Sequence, residues 1–366
     1  MQISKLALRD FRNHKNLELD FLSGATTIVG RNGRGKTNIV EAVHYLATLN
    51  SHRVAQDAPL VRHGLSSAQI YALVTKHNRQ AEVELTINYP GTNKVLLNKT
   101  QLTRPRDLLG LVTTVIFSPE DLELVKGEPT ARRKFIDEFS TLLTPKFINT
   151  RSEYERTLKQ RNTLLKSLGR RSPSQQAQDT LNAWDEQLVI HGSNLVAARL
   201  LNLKKLTPRI IEFGETISGN TEPLEISYLS SWLPNGVSTT NDIENVFREN
   251  LKLKSKDELD RGVTLVGPHR DDLEIKLSNM PAKGYASHGQ SWSIAIALRL
   301  AAFDVLREHD DDPILILDDV FAELDEKRRK RLIMAINNVE QTLITAAVVE
   351  DIPNELLSNQ ILLEDN

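Results

Sequence analysis

Apolar positions recur along this chain with two different periods, and the changes of period mark its organisation. Residues 2–8 and 17–21 alternate as strands about a turn built from Asp10, Arg12, Asn13 and His14, and 26–29 is a short apolar strand ending at Gly30. A helix is predicted over 38–49, then antiparallel strands over 69–76, 81–89 and 94–97, with Pro90, Gly91 and Asn93 turning the chain between the last two. A strand over 112–117 follows. From 130 to 168 the spacing becomes helical, with Tyr154, Leu158, Leu165 and Leu168 on one face. A polar break over 169–176 separates this stretch from a second helix striped by Leu181, Trp184, Leu188 and Leu195. Two long helices joined by a polar turn predict an antiparallel hairpin projecting from the sheet. Strands at 224–229, 264–267 and 273–277 and helices at 242–260, 290–309 and 327–338 return a mixed pattern. The run 314–317 is apolar throughout, as a strand buried on both faces is, and 342–347 is the last strand expected.

With 366 residues, 40% hydrophobic and 26% charged, the chain can bury a sizeable core, as one large domain with an insertion or as two domains. The absence of cysteine excludes a disulfide framework and thiolate metal sites and fits a reducing cytoplasm. No segment reads as a signal peptide or membrane span, so a soluble, cytoplasmic protein without membrane partners is expected. A net charge of −2 gives no overall attraction to nucleic acid, yet 126–171 holds 12 Lys or Arg against 5 Asp or Glu, and 304–326 holds 10 acidic residues and one Arg. The basic stretch is either a solvated face or a surface that meets DNA phosphates.

Chemistry enters at Gly30-Arg31-Asn32-Gly33-Arg34-Gly35-Lys36-Thr37, a G-x-x-x-x-G-K-T sequence between a predicted strand and helix. Its glycines let successive N–H groups curl around phosphates, the helix start favours negative charge, Lys36 reaches the β- and γ-phosphates, and the Thr37 hydroxyl can ligate Mg²⁺. The bland alternative is a glycine-rich turn that binds nothing. Asp318 and Asp319 end the apolar run 314–317, placing a carboxylate pair at a strand tip. There Asp318 would hold Mg²⁺ through water and Asp319 would orient or deprotonate the attacking water, unless the pair only caps the next turn. Ser287-His288-Gly289-Gln290 opens a predicted helix and suits either a phosphate or an ordinary helix cap. ATP with Mg²⁺ is therefore the expected ligand.

Taken in order, the phosphate loop, the Ser287-His288-Gly289-Gln290 segment, the strand with paired acids and Ala322-Glu323-Leu324-Asp325 resemble an ABC-type ATPase head of the SMC kind. The implied fold is α/β, an ABC-type P-loop ATPase head formed by 1–125 and 261–366, with a helical arm domain inserted over 126–260. The resemblance implies a homodimer formed on ATP, in which Ser287, Gly289 and Gln290 contact the γ-phosphate bound to the other copy and Asp325 lies at the interface. Within that group the chain is similar to the RecF family across nearly its whole length. Leu8-Arg9-Asp10-Phe11-Arg12-Asn13-His14 carries this likeness, with Ile116–Leu122 running on to Lys126-Gly127 and Arg132-Arg133, then Gly267-Pro268-His269-Arg270-Asp271-Asp272 and Asp318-Asp319-Val320-Phe321. It implies recombinational repair and replication-fork maintenance, binding to single-stranded, gapped or junction DNA, recombinase loading with RecO- and RecR-like partners, and weak DNA-stimulated ATP hydrolysis.

Departures from the group pattern qualify the chemistry. Asp319 stands where most ABC ATPases have Glu. No glutamine occupies the Q-loop position near 118–121, leaving Glu120 or Asp121 to serve near the metal, and Thr345 and Ala346 replace the switch histidine. Arg12 and Arg53 are each either nucleotide contacts or surface arginines. His269 lacks ligand spacing and reads as part of a structural turn. An ATP-binding scaffold without significant hydrolysis is the alternative reading. A transport ATPase subunit lacks its switch histidine, and a small-molecule kinase has no use for the Ser287–Gln290 segment.

Overall fold

The computed structural model describes residues 1–169, 174–219, 222–310, 312–336, 338–357 and 359–363. They form two compact units, one of Met1–Lys126, Arg209–Leu224 and Gly284–Asn366, the other of Gly127–Pro208 and Glu225–Lys283. The second boundary expected from the pattern shifts, because 261–283 belongs with the helices while Arg209–Leu224 does not. The 44-residue helix Gln175–Ser218 runs on past Pro208 and accounts in part for the second of those differences, while the Arg132–Asp272 ion pair at 2.8 Å, internal to the helical unit, accounts in part for the first.

Two sheets organise the first unit. One has five parallel strands in the order Asn359–Leu362, Gly24–Val29, Gln341–Ala346, Ile314–Asp318, Thr114–Phe117. Strands Ile314–Asp318 and Gln341–Ala346 are buried at every position, which is why 314–317 reads as an apolar run and not as alternation. Because all five strands run the same way, the C-terminal ends of Gly24–Val29 and Ile314–Asp318 share one edge, with Gln341–Ala346 between them. The strand Asn359–Leu362 was not expected; its four residues alternate between half-buried and exposed and leave too short a pattern to read.

The other sheet has six antiparallel strands, ordered His14–Asp20, Gln2–Phe11, Ser67–Lys76, Arg79–Asn88, Lys94–Leu97, Thr100–Gln101. Helix Lys36–Thr48 packs on strands of both sheets, and from Ile39 to Thr48 every residue is buried. A helix apolar on all faces requires such double cover. Tyr45 on this helix donates to Asp57 at 2.8 Å and accepts from Asn93 at 3.0 Å, fastening it to a turn of the meander.

In the second unit the helical stretch over 130–168 is two helices, Pro129–Leu143 and Phe147–Leu168, because Pro145 drives Thr144 into an extended conformation. Residues 170–173 of the predicted polar break lie outside the described residues. The two long helices do meet, through Arg161 and Asp185 at 2.6 Å, and the helix Thr240–Arg261 joins them. Tyr154, Leu188, Val196, Trp232, Ile243 and Phe247 lie in their shared core, with Trp232 and Phe247 ring centres 4.6 Å apart. Each such side chain contributes about 1.5–3 kcal/mol on full burial.

The strand expected at 264–267 is absent, since its backbone groups bond to side chains instead. Thr264 N–H donates to Asn162 and Leu265 N–H to Glu258, both at 2.7 Å, while the Thr264 carbonyl accepts from Arg270 at 3.1 Å. Gly267–Asp272 is thereby a structural hub. Tyr154 OH lies 2.6 Å from His269 Nδ1, Asp271 accepts from Tyr228 at 2.6 Å and Trp232 at 2.9 Å, and Arg199 donates to the Pro268 carbonyl at 2.8 Å.

Candidate functional site

The loop after Gly24–Val29 turns through Gly33 and Gly35, both with left-handed backbone, at φ 87° and 92°. At Gly35 the constraint is also spatial, because a Cβ would fall 2.4 Å from His14 Nε2 and 2.5 Å from Asn13 Oδ1. The turn carrying these side chains frames the loop. Asn13 donates to the Gly33 carbonyl at 3.3 Å, His14 Nε2 lies 3.1 Å from the Gly35 carbonyl, and Asn38 donates back to Asn13 at 2.8 Å. Burial lowers the His14 pKa, opposed by the Gly35 hydrogen bond. Gly35 precedes Lys36 without any side-chain cap, so the start of the helix leaves its N–H groups to a ligand or water.

Lys36 is 3% exposed, and its ammonium donates to the Gly30 carbonyl at 2.7 Å and to Asn32 Oδ1 at 3.3 Å. It thus lies folded into the loop's own concavity. Thr37 donates to Asp318 Oδ1 at 3.0 Å, across 281 positions of sequence. Thr345 donates to the same oxygen at 2.6 Å and accepts from Asp319 N–H at 3.0 Å. Burial pushes the Asp318 carboxyl up to about 6, with Asp319 adding to the push while the Thr345 and Thr37 hydroxyls oppose it. Asp319 is also raised by burial and is pulled back by Lys36.

The flanking candidates separate cleanly. Arg12 is committed to Glu41, with Nε and Nη2 donating at 2.8 and 2.6 Å to a carboxylate that is wholly buried. Arg53 stands at the rim, donating to Asn38 at 3.1 Å with Glu120 at 3.7 Å. Asp121 is held by Arg299 at 2.6 Å and by Ser118 N–H at 3.1 Å, which makes it a structural carboxylate. Glu120 is more exposed, lies 3.7 Å from Arg53 at the rim, and adds slightly to the upward push on Asp318.

Ser287 and Gln290 form a reciprocal capping box at the start of helix His288–His309, with Ser287 N–H donating to Gln290 Oε1 at 2.7 Å. The Gln290 amide also donates to both oxygens of Glu222 at 2.7 Å. No hydrogen bond runs from Ser287, Gly289 or Gln290 to residues 30–37 among the described residues. The strand tips therefore gather Gly30–Thr37, Asp318 and Asp319, while Ser287–Gln290 stands as a separate group. Asn13, His14, Glu41, Thr345 and Glu222 complete these groups. Asn13 and His14 belong to the Leu8–His14 stretch that carries the family likeness, whereas the partnerships of Glu41, Thr345 and Glu222 carry no sequence signal.

Among the described residues, five cations of the basic stretch form ion pairs within their unit. Arg132 pairs with Asp272 at 2.8 Å, Arg151 with Glu155 at 2.8 Å, and Arg161 with Asp185 at 2.6 Å. Lys134 and Arg156 pair more loosely with Glu138 and Glu153, at 3.6 and 3.7 Å. Lys146, Lys159 and Lys166 keep to the exposed surface.

A phosphate-type loop, an acid-tipped strand in the same parallel sheet and an inserted helical unit define an SMC-type P-loop ATPase head. A family model described as the RecF/RecN/SMC N-terminal domain matches residues 2–355. A protein of Streptomyces avermitilis named DNA replication and repair protein RecF is 46% identical, covering 100% of this chain and 98% of its own. One from Kineococcus radiotolerans with the same name is 48% identical, over 97% of this chain and 95% of its own. Among solved structures, one described as the recombination mediator protein RecF-ATP in the RecFOR pathway superposes with a TM-score of 0.88 at 30% identity, covering 96% of this chain and 93% of that one. An Smc head bound to a winged-helix domain of ScpA shares the fold, with a TM-score of 0.53 at 16% identity over 95% and 90% of the two chains. The chain belongs to the RecF family.

Proposed function

We propose that this chain is an ATP-controlled DNA-binding protein of recombinational repair and replication-fork maintenance, resident in the cytoplasm. The carrying observation is the Thr37–Asp318 hydrogen bond at 3.0 Å, which joins the loop to the acid strand at one point. Gly30–Thr37 would receive the phosphates of ATP, with Lys36 leaving the Gly30 carbonyl for the β- and γ-phosphates. The Thr37 hydroxyl and Asp318 carboxylate are hard oxygen donors and fit Mg²⁺, which would neutralise phosphate charge. Among the described residues no cluster of three or more His, Cys, Asp or Glu could hold a metal, so its remaining oxygens would come from phosphate and water.

Ser287, Gly289 and Gln290 would complete the site of a second copy, making ATP the switch for dimerisation. The separation of this group from the loop within one chain supports that reading. The dimer would bind single-stranded gaps or junctions and assist recombinase loading with RecO- and RecR-like proteins. Asp319 would activate water slowly, giving weak DNA-stimulated hydrolysis.

Light scattering tests this with and without saturating ATP, followed by titration onto gapped duplex DNA. The wild type should dimerise with ATP, whereas Lys36→Ala should remain monomeric in both conditions. Ser287→Arg should keep ATP affinity and lose dimerisation, because its cation would obstruct the facing phosphate site. A wild type that stays monomeric at saturating ATP sinks the reading.

A further inference from the structure

Asp325 caps helix Glu326–Ala335, accepting from Arg328 N–H at 2.9 Å. The Arg328 side chain folds back from the first turn. Its Nη1 donates to Asp325, and its Nε donates to Ser293 Oγ at 2.9 Å. Ser293 lies one turn into helix His288–His309 and donates in turn to the Gly289 carbonyl at 3.1 Å. The guanidinium therefore faces Gly289. A Cβ there would sit 3.1 Å from Nη1 and 3.2 Å from both Cζ and Nη2, nearly equidistant from three atoms of the plane. Gly289 has no left-handed φ, and its missing side chain is what lets the Arg328 guanidinium lie this close without being displaced.

The charges nearby show what this cation is suited to do. Glu222 holds Gln290, Glu323 lies 3.5 Å from His288, and Asp325 caps the adjoining helix. An anion approaching Ser287 and Gly289 would meet these carboxylates, and the partial charge at a helix start is only about half a unit. Arg328 and Lys126, whose Nζ lies 3.5 Å from His288 Nδ1, are the cations beside the segment. Arg328 is the one laid against the glycine. Its Nη2 donates to no carboxylate or carbonyl among the described residues, and a quarter of the side chain, 25%, is exposed. A planar guanidinium with donors to spare is well matched to phosphate oxygens.

We infer that Arg328 is the cationic member of the Ser287–Gln290 group, presenting Nη2 to the terminal phosphate of ATP held by a second copy of this chain. It also couples that group to Asp325, because one side chain bonds Ser293 and Asp325 together. This inference rests on the shared-nucleotide reading above.

The test uses the full chain and its Arg328→Gln and Arg328→Lys variants. Affinity of the monomer for a fluorescent ATP analogue is measured below the dimerisation concentration, dimerisation with ATP or ADP by light scattering, and folding by thermal melting. Arg328→Gln should keep the melting temperature and hold monomer affinity within about twofold, while ATP-dependent dimerisation weakens about tenfold or more, the worth of one charge-assisted hydrogen bond. Arg328→Lys should recover part of that loss, since it restores charge without the planar fork. Wild-type dimerisation matched by Arg328→Gln overturns the Arg328 inference alone. Parallel losses of melting temperature and monomer affinity would make the residue merely structural and overturn it too. A wild type that fails to dimerise overturns the shared-nucleotide reading, and this inference with it.

Discussion

Replacing Thr345 by Val isolates a contact that holds the acid strand in register with the loop. The swap keeps a β-branched shape on a central strand and removes only the hydroxyl. That hydroxyl donates to Asp318 at 2.6 Å and accepts from Asp319 N–H at 3.0 Å. Asp319 N–H retains the Thr345 carbonyl at 3.3 Å, and Asp318 retains Thr37 at 3.0 Å, so neither group is stranded. What is lost is one hydrogen bond into a carboxylate that is 2% exposed, worth about 1.5–3 kcal/mol. With Thr37 still in place the lower end applies, or about tenfold in any equilibrium that needs Asp318 fixed and ionised. Titration with a fluorescent ATP analogue, with and without Mg²⁺, reads this directly. Affinity without Mg²⁺ should hold within about twofold, while the gain on adding Mg²⁺ should fall about tenfold. Thr345→Ser should restore it. A Thr345→Val protein with the full Mg²⁺ gain would refute the argument that Thr345 positions the metal-facing carboxylate.

Glu222→Gln should release the Gln290 amide from a charged partner and tighten ATP-dependent dimerisation by up to about tenfold, read by light scattering; unchanged or weaker dimerisation refutes the idea that Glu222 restrains Gln290. His269 gives a pH signature. Burial lowers its pKa from 6.5 to about 4, with Arg270, Arg133 and Arg161 adding to the push. The unfolded chain therefore takes up the proton first as pH falls, so stability is fully present above 6.5 and is lost on descending towards 4, by at most about 3 kcal/mol. Asp271, Asp185 and Glu258, raised by burial, act in the opposite sense, so the difference between wild type and His269→Gln in urea melts at pH 7.5 and 4.5 is the measurement, and equal pH slopes contradict it. Arg161→Leu should cost about 3–5 kcal/mol by stranding the wholly buried Glu258, whereas Arg161→Leu with Glu258→Leu should recover part of the loss, since Leu265 N–H then loses its acceptor. Equal destabilisation of the single and double variants, followed by Trp fluorescence, would show that the pair is not the determinant.

Local pattern carried much of the fold and the core of the candidate site, and long-range partnership carried the rest. Runs such as Ile314–Leu317 announce doubly covered strands because burial on both faces leaves no alternation to disguise them. Gly30–Thr37 is legible because phosphate-binding geometry confines its determinants to eight consecutive positions. The strand expected at 264–267 failed because side chains from Asn162 and Glu258 took its N–H groups, a competition invisible to periodicity. The charge of 126–171 is only partly legible for a related reason. Arg132 and Arg161 pair with acids at Asp272 and Glu258 that lie far along the sequence, so a count within the window does not separate paired cations from those at the surface.

Asp319 shows how a departure from the group pattern has a backbone cause. Its φ is 52°, in the left-handed region, where an ordinary L residue costs about 1–2 kcal/mol and the short side chain of Asp or Asn is tolerated best. Strand Ile314–Asp318 ends immediately before it, and Asp319 N–H is fixed by both the carbonyl and the hydroxyl of Thr345. The turn is therefore held from the neighbouring strand, and a residue at 319 must accept it. Glutamate would bring a longer reach to water, but without the local compensation that a short polar side chain finds in this conformation. The same Thr345 that stands where a switch histidine was expected thus favours aspartate one strand away. In the proposed reaction the two departures are coupled: a carboxylate with short reach, raised by burial and drawn back by Lys36, suits slow turnover and a nucleotide state that persists.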